Sequence, residues 1–353
     1  MRAGFTQAGA GASAGGVPLR TDRQASVETV LDVGVVIFDS GIPEDESTHS
    51  KLGIFPEIRK SEAKFMPVIL RQVLIESGAW GVVRVLPEVL DSSELLITSR
   101  ILHSDGLRLA LKIKAHDATG RLWLDKVYVD EASQGDYPVT AGGDPYLDLY
   151  HQVANELLTL KQGMSSKELR NIRQVGLMRY AASLSPEVFA HYLARTEGGA
   201  YMLARLPAED DPMMGRVNRI RNQEYLFIDT VDEQYATLYE EMAPTYNLWR
   251  QFGREQAIYR KSYQDRVTSK ERRGRRGTFA AMEQTYEAYK WSKIHEQDMD
   301  ELALGFNNEV APTVMEVSGK VFRLNGTLDT QYTEWRDILR KIFVIETGLT
   351  PDA

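Results

Sequence analysis

The sequence predicts an α+β protein in which a small mixed α/β sheet domain is followed by a mainly α-helical domain with a long helical hairpin. Three observations predict this. Short β-rich runs and one amphipathic helical run alternate up to about residue 160. Within that part, Leu107, Leu109, Leu111, Ile113 and Ala115 alternate with Arg108, Lys112, Lys114 and His116, the period-two pattern of an antiparallel strand with one wet face. From about Ser165 onward the strand signal nearly vanishes and apolar stripes at helical spacing take over.

Three segments follow from this reading: a leader over 1–27, the α/β domain over 28–160 and the helical domain over 161–353. The leader is rich in Gly, Ala and Ser, so it offers too little apolar surface to offset the entropy of ordering and reads as disordered. Arg2 and the small-residue triplet Ala12-Ser13-Ala14 give it a faint likeness to a signal peptide, but its apolar stretch is poor. Its glycines are not a phosphate loop, because no strand precedes them.

The first strand spans Leu31–Phe38, apolar on both faces and so buried on both. A helix over Lys64–Glu76 carries Phe65, Met66, Ile69, Leu70, Val73 and Leu74 on one stripe, with Pro67 placed in its first turn or at a kink. Trp80–Leu86 and Leu95–Leu102 are the next strands, parted by Asp91-Ser92-Ser93. Asp117-Ala118-Thr119-Gly120 turns the alternating strand back into its hairpin partner, Arg121–Val129. A Gly/Pro-rich loop then leads to a helix near Leu147–Leu160.

In the second half the expected helices are Ser166–Ala182, Pro186–Arg195 and a long one from about Arg216, where Val231, Tyr235, Leu238 and Met242 hold helical spacing. Pro244 is expected to kink or end that helix. A further helix over Thr278–Leu304 would complete an antiparallel hairpin with Arg272-Arg273-Gly274-Arg275-Arg276 near its tip. A last helix is capped by Asn325-Gly326-Thr327, buries Tyr332, Trp335, Leu339 and Ile342, and ends at Gly348.

Composition narrows the function. The 353 residues carry a net charge of −8, which argues against general nucleic-acid binding, and no run approaches the ~20 apolar residues that cross a bilayer. The chain as given has no cysteine, so disulfides, thiolate nucleophiles and an amino-terminal lipidation acceptor are absent from it. The six histidines, at 49, 103, 116, 151, 191 and 295, form no zinc-binding spacing. No nucleophile elbow or phosphate-loop motif occurs, and no cofactor or catalytic residue is assigned.

Asp39, directly after the first strand, occupies a position where α/β enzymes hold a catalytic carboxylate, and its alternative is a turn former in Asp39-Ser40-Gly41. The acidic runs Glu44-Asp45-Glu46 and Glu209-Asp210-Asp211 lack the ligand spacing of a calcium loop. Residues 254–276 hold nine Lys/Arg against three Asp/Glu, a local +6, and Arg272, Arg273, Arg275 and Arg276 are the candidate contacts for a partner or an anion.

The front half also resembles a known domain type. Val33-Gly34-Val35-Val36-Ile37-Phe38, Leu70-Arg71-Gln72-Val73-Leu74 before Trp80–Leu86, Asp117-Ala118-Thr119-Gly120-Arg121-Leu122-Trp123 in the hairpin, and Asp144-Pro145-Tyr146 through Asn155-Glu156-Leu157-Leu158 carry the resemblance. They are similar to the small α/β domain shared by curli-secretion lipoproteins, penicillin-binding-protein activator lipoproteins, flagellar outer-membrane lipoproteins and the TolB amino-terminal domain. The resemblance covers about residues 28–160. It implies a periplasmic, outer-membrane-associated accessory protein that binds other envelope proteins and catalyses nothing; self-association and peripheral membrane contact are compatible with it. The alternatives from the residues themselves are a cytoplasmic binder of nucleic acid or an anionic surface through 254–276, and a hydrolase at Asp39.

Overall fold

The computed structural model describes residues 16–22, 29–49, 54–90, 92–140, 143–208, 210–271 and 312–348. It is an α+β fold built on a five-stranded sheet of order β2-β1-β3-β4-β5. The strands are β1 (Val33–Val36), β2 (Val83–Leu86), β3 (Leu95–Ser104), β4 (Arg108–Asp117) and β5 (Leu122–Glu131). β1 runs parallel to both β2 and β3, and β3, β4 and β5 form an antiparallel meander. The expected order of strand, helix, strand, strand and hairpin is observed, and Leu109, Leu111, Ile113 and Ala115 are all buried.

The β4–β5 turn shows why its sequence turns. Gly120 sits at φ +86, and the Asp117 carboxylate accepts from the Thr119 amide at 2.8 Å and from Trp123 Nε1 at 2.8 Å. One aspartate therefore satisfies both the loop amide and a buried indole.

Helix α1 (Pro56–Ser77) begins eight residues earlier than the apolar stripe suggests, so Pro67 lies in its interior rather than its first turn. A proline there deprives the Ala63 carbonyl of its intrahelical donor. The Phe38 amide, leaving β1, donates to that carbonyl at 2.9 Å, so the gap in the helix becomes a tie to the sheet. Helix α2 (Leu147–Gln162) packs beside α1 on the same face, and together they cover Val33, Val35, Leu95, Ile97, Leu111 and Ile113.

Residues 16–22, within the leader, lie extended along α2. The Val17 amide donates to Asp148, His151 Nδ1 lies 2.6 Å from the Val17 carbonyl, and Arg20 reaches Asn155, Thr159 and Gln162. Leu19 adds a partly buried side chain to the core. Local composition does not reveal this, because the polar groups that hold the segment lie more than a hundred residues away.

The other sheet face is covered by the second half of the chain. Val36, Val85, Leu86 and Leu96 pack with α3 (Ser166–Leu184), with a long helix and with the last helix. Ser165 caps α3 through a reciprocal pair with Glu168. α3 bridges the two cores, placing Leu169, Ile172 and Val175 in one and Met178, Ala181 and Leu184 in the other. The expected helix over Pro186–Arg195 is instead one turn, α4 (Pro186–Phe189), a 3-10 turn, and strand β6 (Leu193–Arg195) paired with β7 (Tyr201–Leu203).

The long helix α5 (Pro212–Glu271) has 60 residues, about 90 Å at 1.5 Å per residue. It runs through Pro244, contrary to the expected kink or end. Pro244 is on the exposed side, where the Glu240 carbonyl that it frees, on an exposed residue, can be hydrated. The expected partner helix 278–304 lies outside the described residues.

Strands β8 (Thr313–Val317) and β9 (Lys320–Leu324) form a hairpin that the reading of a strand-poor second half does not anticipate. Ser318 and Gly319 both take positive φ, at 51 and 71, the conformation a two-residue hairpin turn needs. Helix α6 (Leu328–Thr347) starts at the Thr327 cap and ends at Gly348, as expected. Phe343, rather than Ile342, completes the fully buried row with Tyr332, Trp335 and Leu339. No helix among the described residues is long and apolar enough to cross a membrane.

Candidate functional site

Among the described residues, those singled out from sequence do not converge. Asp39 makes an isolated bridge to Arg100, its carboxylate accepts from the Gly41 amide at 2.8 Å and lies 3.5 Å from Arg100 Nε, and half of it is exposed. That is the turn-forming geometry, with its charge paired to a surface arginine. Asp45 caps a 3-10 turn through Ser47, and Asp211 accepts from the Met213 amide at the start of α5. The side-chain bonds hold the Asp45 carboxyl below its ordinary range. His103 pairs with Asp105 at 2.9 Å and His49 lies 2.8 Å from the Pro43 carbonyl. Arg272, Arg273, Arg275 and Arg276 lie outside the described residues.

The polar groups that sequence reasoning misses are concentrated where α5 crosses the sheet and α1. At the upstream end, Glu94, next to β3, is buried with Arg173 and Arg221 at 3.8 and 3.7 Å, and accepts from the Asp32 amide at 2.9 Å. Burial pushes its carboxyl up, against that amide and the two arginines. Next along α5, Asp229 binds Arg84 Nε at 2.5 Å, while Asp232 accepts from the Val85 amide at 2.8 Å and pairs with Arg71 at 2.6 Å. The Val85 bond closes an amide on edge strand β2 with a helix carboxylate, one of the ways a sheet edge is protected. Burial raises the Asp232 carboxyl as well.

Further along, Tyr246 donates to Glu62 at 2.8 Å, and the same carboxylate accepts from Ser104 at 2.6 Å and pairs with Arg59 at 2.9 Å. Arg250 then donates to Asp144 at 2.6 Å and to Asn247 at 2.6 Å, with its guanidinium 4.4 Å from the Tyr246 ring centre. Burial would depress Arg250, but Asp144 and the surrounding tyrosines outweigh it and raise it. A charged arginine, fully buried against Asp144, results.

Glycines let the backbones meet here. A Cβ on Gly106, in the β3–β4 turn at φ +80, would lie 2.0 Å from the Arg250 carbonyl, and one on Gly253 would lie 2.6 Å from the Asp105 carbonyl. Only hydrogen at both positions permits the contact. Beyond Arg250, none of the side chains described on α5 is buried. The helix is thus fastened to the sheet and α1 over its first two-thirds by carboxylate–arginine pairs and a glycine contact, and changes character where the basic segment begins. This arrangement fixes a direction and a register; its charges are spent on one another. A sequence signal for Arg250 does exist, since it falls on the stripe of Met242, Tyr246 and Trp249, where a lone cation needs a buried partner.

No family model matches the chain, and no curated protein matches it. Among solved structures, the chain is similar to a PelC dodecamer, a point variant from Paraburkholderia phytofirmans, at 12% identity and a TM-score of 0.23, covering 42% of this chain and 95% of that one. The fold described above rests on its own strand order and packing, not on that likeness.

Proposed function

We propose that the protein is a non-enzymatic assembly or scaffold component of the cell envelope, periplasmic and associated with the outer membrane, acting through contacts with other envelope proteins or with further copies of itself. The observation that carries the reading is the way α5 is built: one continuous helix anchored to the α/β unit by buried ion pairs, then continuing with no described side chain buried. A rigid lever of this kind transmits position between a docked body and a second partner, which is what an assembly factor requires. The envelope part of the reading is supported by the resemblance of the front half to the lipoprotein and TolB domains, residue by residue as given above.

The test is photo-crosslinking in the source organism, with a photoreactive residue at Leu248 or Ile258, both exposed on α5, combined with cell fractionation. The expected outcome is an intermolecular protein adduct in the periplasmic or outer-membrane fraction. Confinement to the cytoplasm with nucleic acid as the crosslinked species would replace this reading with the basic-segment alternative.

A further inference from the structure

A pocket of about 450 Å³ opens between α3, the β6–β7 hairpin and α6. Its lining includes three arginines, Arg179, Arg195 and Arg336, together with Ser92, Ser183 and Tyr201. No carboxylate is among the described residues that line it. Leucine and alanine side chains make the rest of the wall, so the pocket combines one charged side with one apolar side, the composition of a small-molecule site within the usual size range.

The arginines are held in place rather than left to sample solvent. Arg179 Nη1 donates to the Ala118 carbonyl at 3.0 Å, in the β4–β5 turn. The guanidinium carbons of Arg179 and Arg195 lie 4.4 and 4.3 Å from the same ring centre, that of Tyr201, and Arg195 also donates to the Tyr201 hydroxyl. Arg336 is steadied by Glu88 at 3.4 Å and Glu224 at 3.5 Å. The hairpin that carries Arg195 and Tyr201 is fixed to the sheet domain by the Tyr201 amide, which donates to the Thr119 carbonyl at 2.7 Å. The Tyr201 ring thus holds two cations in the lining of the pocket. Guanidinium forks match phosphate oxygens two at a time.

We propose that this pocket binds the phosphate group of a small phosphorylated molecule, whose organic part lies against the leucine and alanine wall. The inference is independent of the assembly reading, because no residue lining the pocket lies on α5.

The test is calorimetric titration of the full chain with inorganic phosphate, pyrophosphate and a phosphomonoester at matched ionic strength, with chloride and citrate as controls. Phosphate-bearing compounds are expected to bind, and Arg195→Ala is expected to weaken them by about tenfold or more, the loss of one charge-assisted bond. Arg195 is exposed on a short strand, so the substitution leaves the cores untouched. Arg121→Glu, which alters a surface charge outside this pocket, is expected to leave affinity within about twofold. Absence of phosphate binding by the parent overturns the proposal, as does equal weakening by Arg121→Glu, which would make the effect one of overall charge. Citrate binding as tight as pyrophosphate would overturn the phosphate assignment in favour of a carboxylate ligand.

Discussion

Replacing Asp144 by Asn removes one charge from the seat of α5 while keeping its shape. Asp144 accepts from Arg250 at 2.6 Å through one oxygen and from the Tyr146 amide at 2.9 Å through the other, and the Asp144 and Arg250 side chains are each 2% exposed. Asn retains an oxygen for the Tyr146 amide. Arg250 is then a buried cation left with the Asn247 side chain, the Tyr246 face and the more distant Phe65 and Tyr146 rings, and its Nε already lacks an acceptor. Breaking a buried pair from one side costs about 3–5 kcal/mol, and a desolvated aromatic face offsets about 1–2 kcal/mol of that. The expected loss is therefore about 1–4 kcal/mol. Urea unfolding followed by far-UV circular dichroism reads it, with tryptophan fluorescence as a local probe, since Trp249 stacks on Tyr246 at 5.7 Å. The double variant Asp144→Asn with Arg250→Met should be more stable than the sum of the two singles predicts, because the orphaned charge has gone. A loss below about 0.5 kcal/mol for Asp144→Asn, or strict additivity in the double, would refute the pair as the fastening of α5.

Gly106→Ala should cost about 2 kcal/mol or more, combining a left-handed backbone with a collision against the Arg250 carbonyl; limited proteolysis should then cut α5 near Gly253 sooner than in the parent. Trp335→Ala, at a fully buried residue packed with Phe227 and Phe322, should lower stability by about 3–5 kcal/mol in chemical denaturation. Glu94 gives a pH dependence whose sign is fixed by its raised carboxyl. The folded state holds that proton after the unfolded state has lost it, so the group's contribution is fully present below the ordinary glutamate value and is lost as pH rises through the raised one. Glu94→Gln lacks this slope, so its stability relative to the parent should improve as pH rises above the ordinary glutamate range; an unchanged or opposite difference would contradict the burial assigned to Glu94.

What can be read from sequence is what depends on near neighbours. The alternation of β4, the turn at Asp117, the start of α3 at Ser166, the Thr327 cap and the Gly348 stop are all local, and each is found where expected. The start of α1 escapes because Pro56–Ala63 carries little apolar signal, and the donor that makes Pro67 tolerable, Phe38, comes from another element. The β8–β9 hairpin is legible in principle: Ser318-Gly319 between two five-residue β-branched and aromatic runs is a hairpin signature, outweighed by the helices around it. The seat of α5 is not legible. Its partners, such as Asp144 with Arg250 and Glu62 with Tyr246, are separated by 106 and 184 residues, and nothing local pairs them. The basic segment, the strongest charge feature in the sequence, lies for the most part beyond the described side chains.

The sheet has one face covered by α1 and α2 and the other by elements from α3 onward, and this has a consequence during synthesis. When Gln162 has left the ribosome, every strand of the sheet exists, yet Val36, Val85, Leu86 and Leu96 still lack their cover. The last of it, up to Phe343, arrives about 180 residues later, roughly 9–36 s at ~5–20 residues per second. For that interval the nascent chain exposes an apolar sheet surface, a natural client for a holdase. A chain truncated after Gln162 would never leave that state, and should be recovered bound to chaperone or in the insoluble fraction.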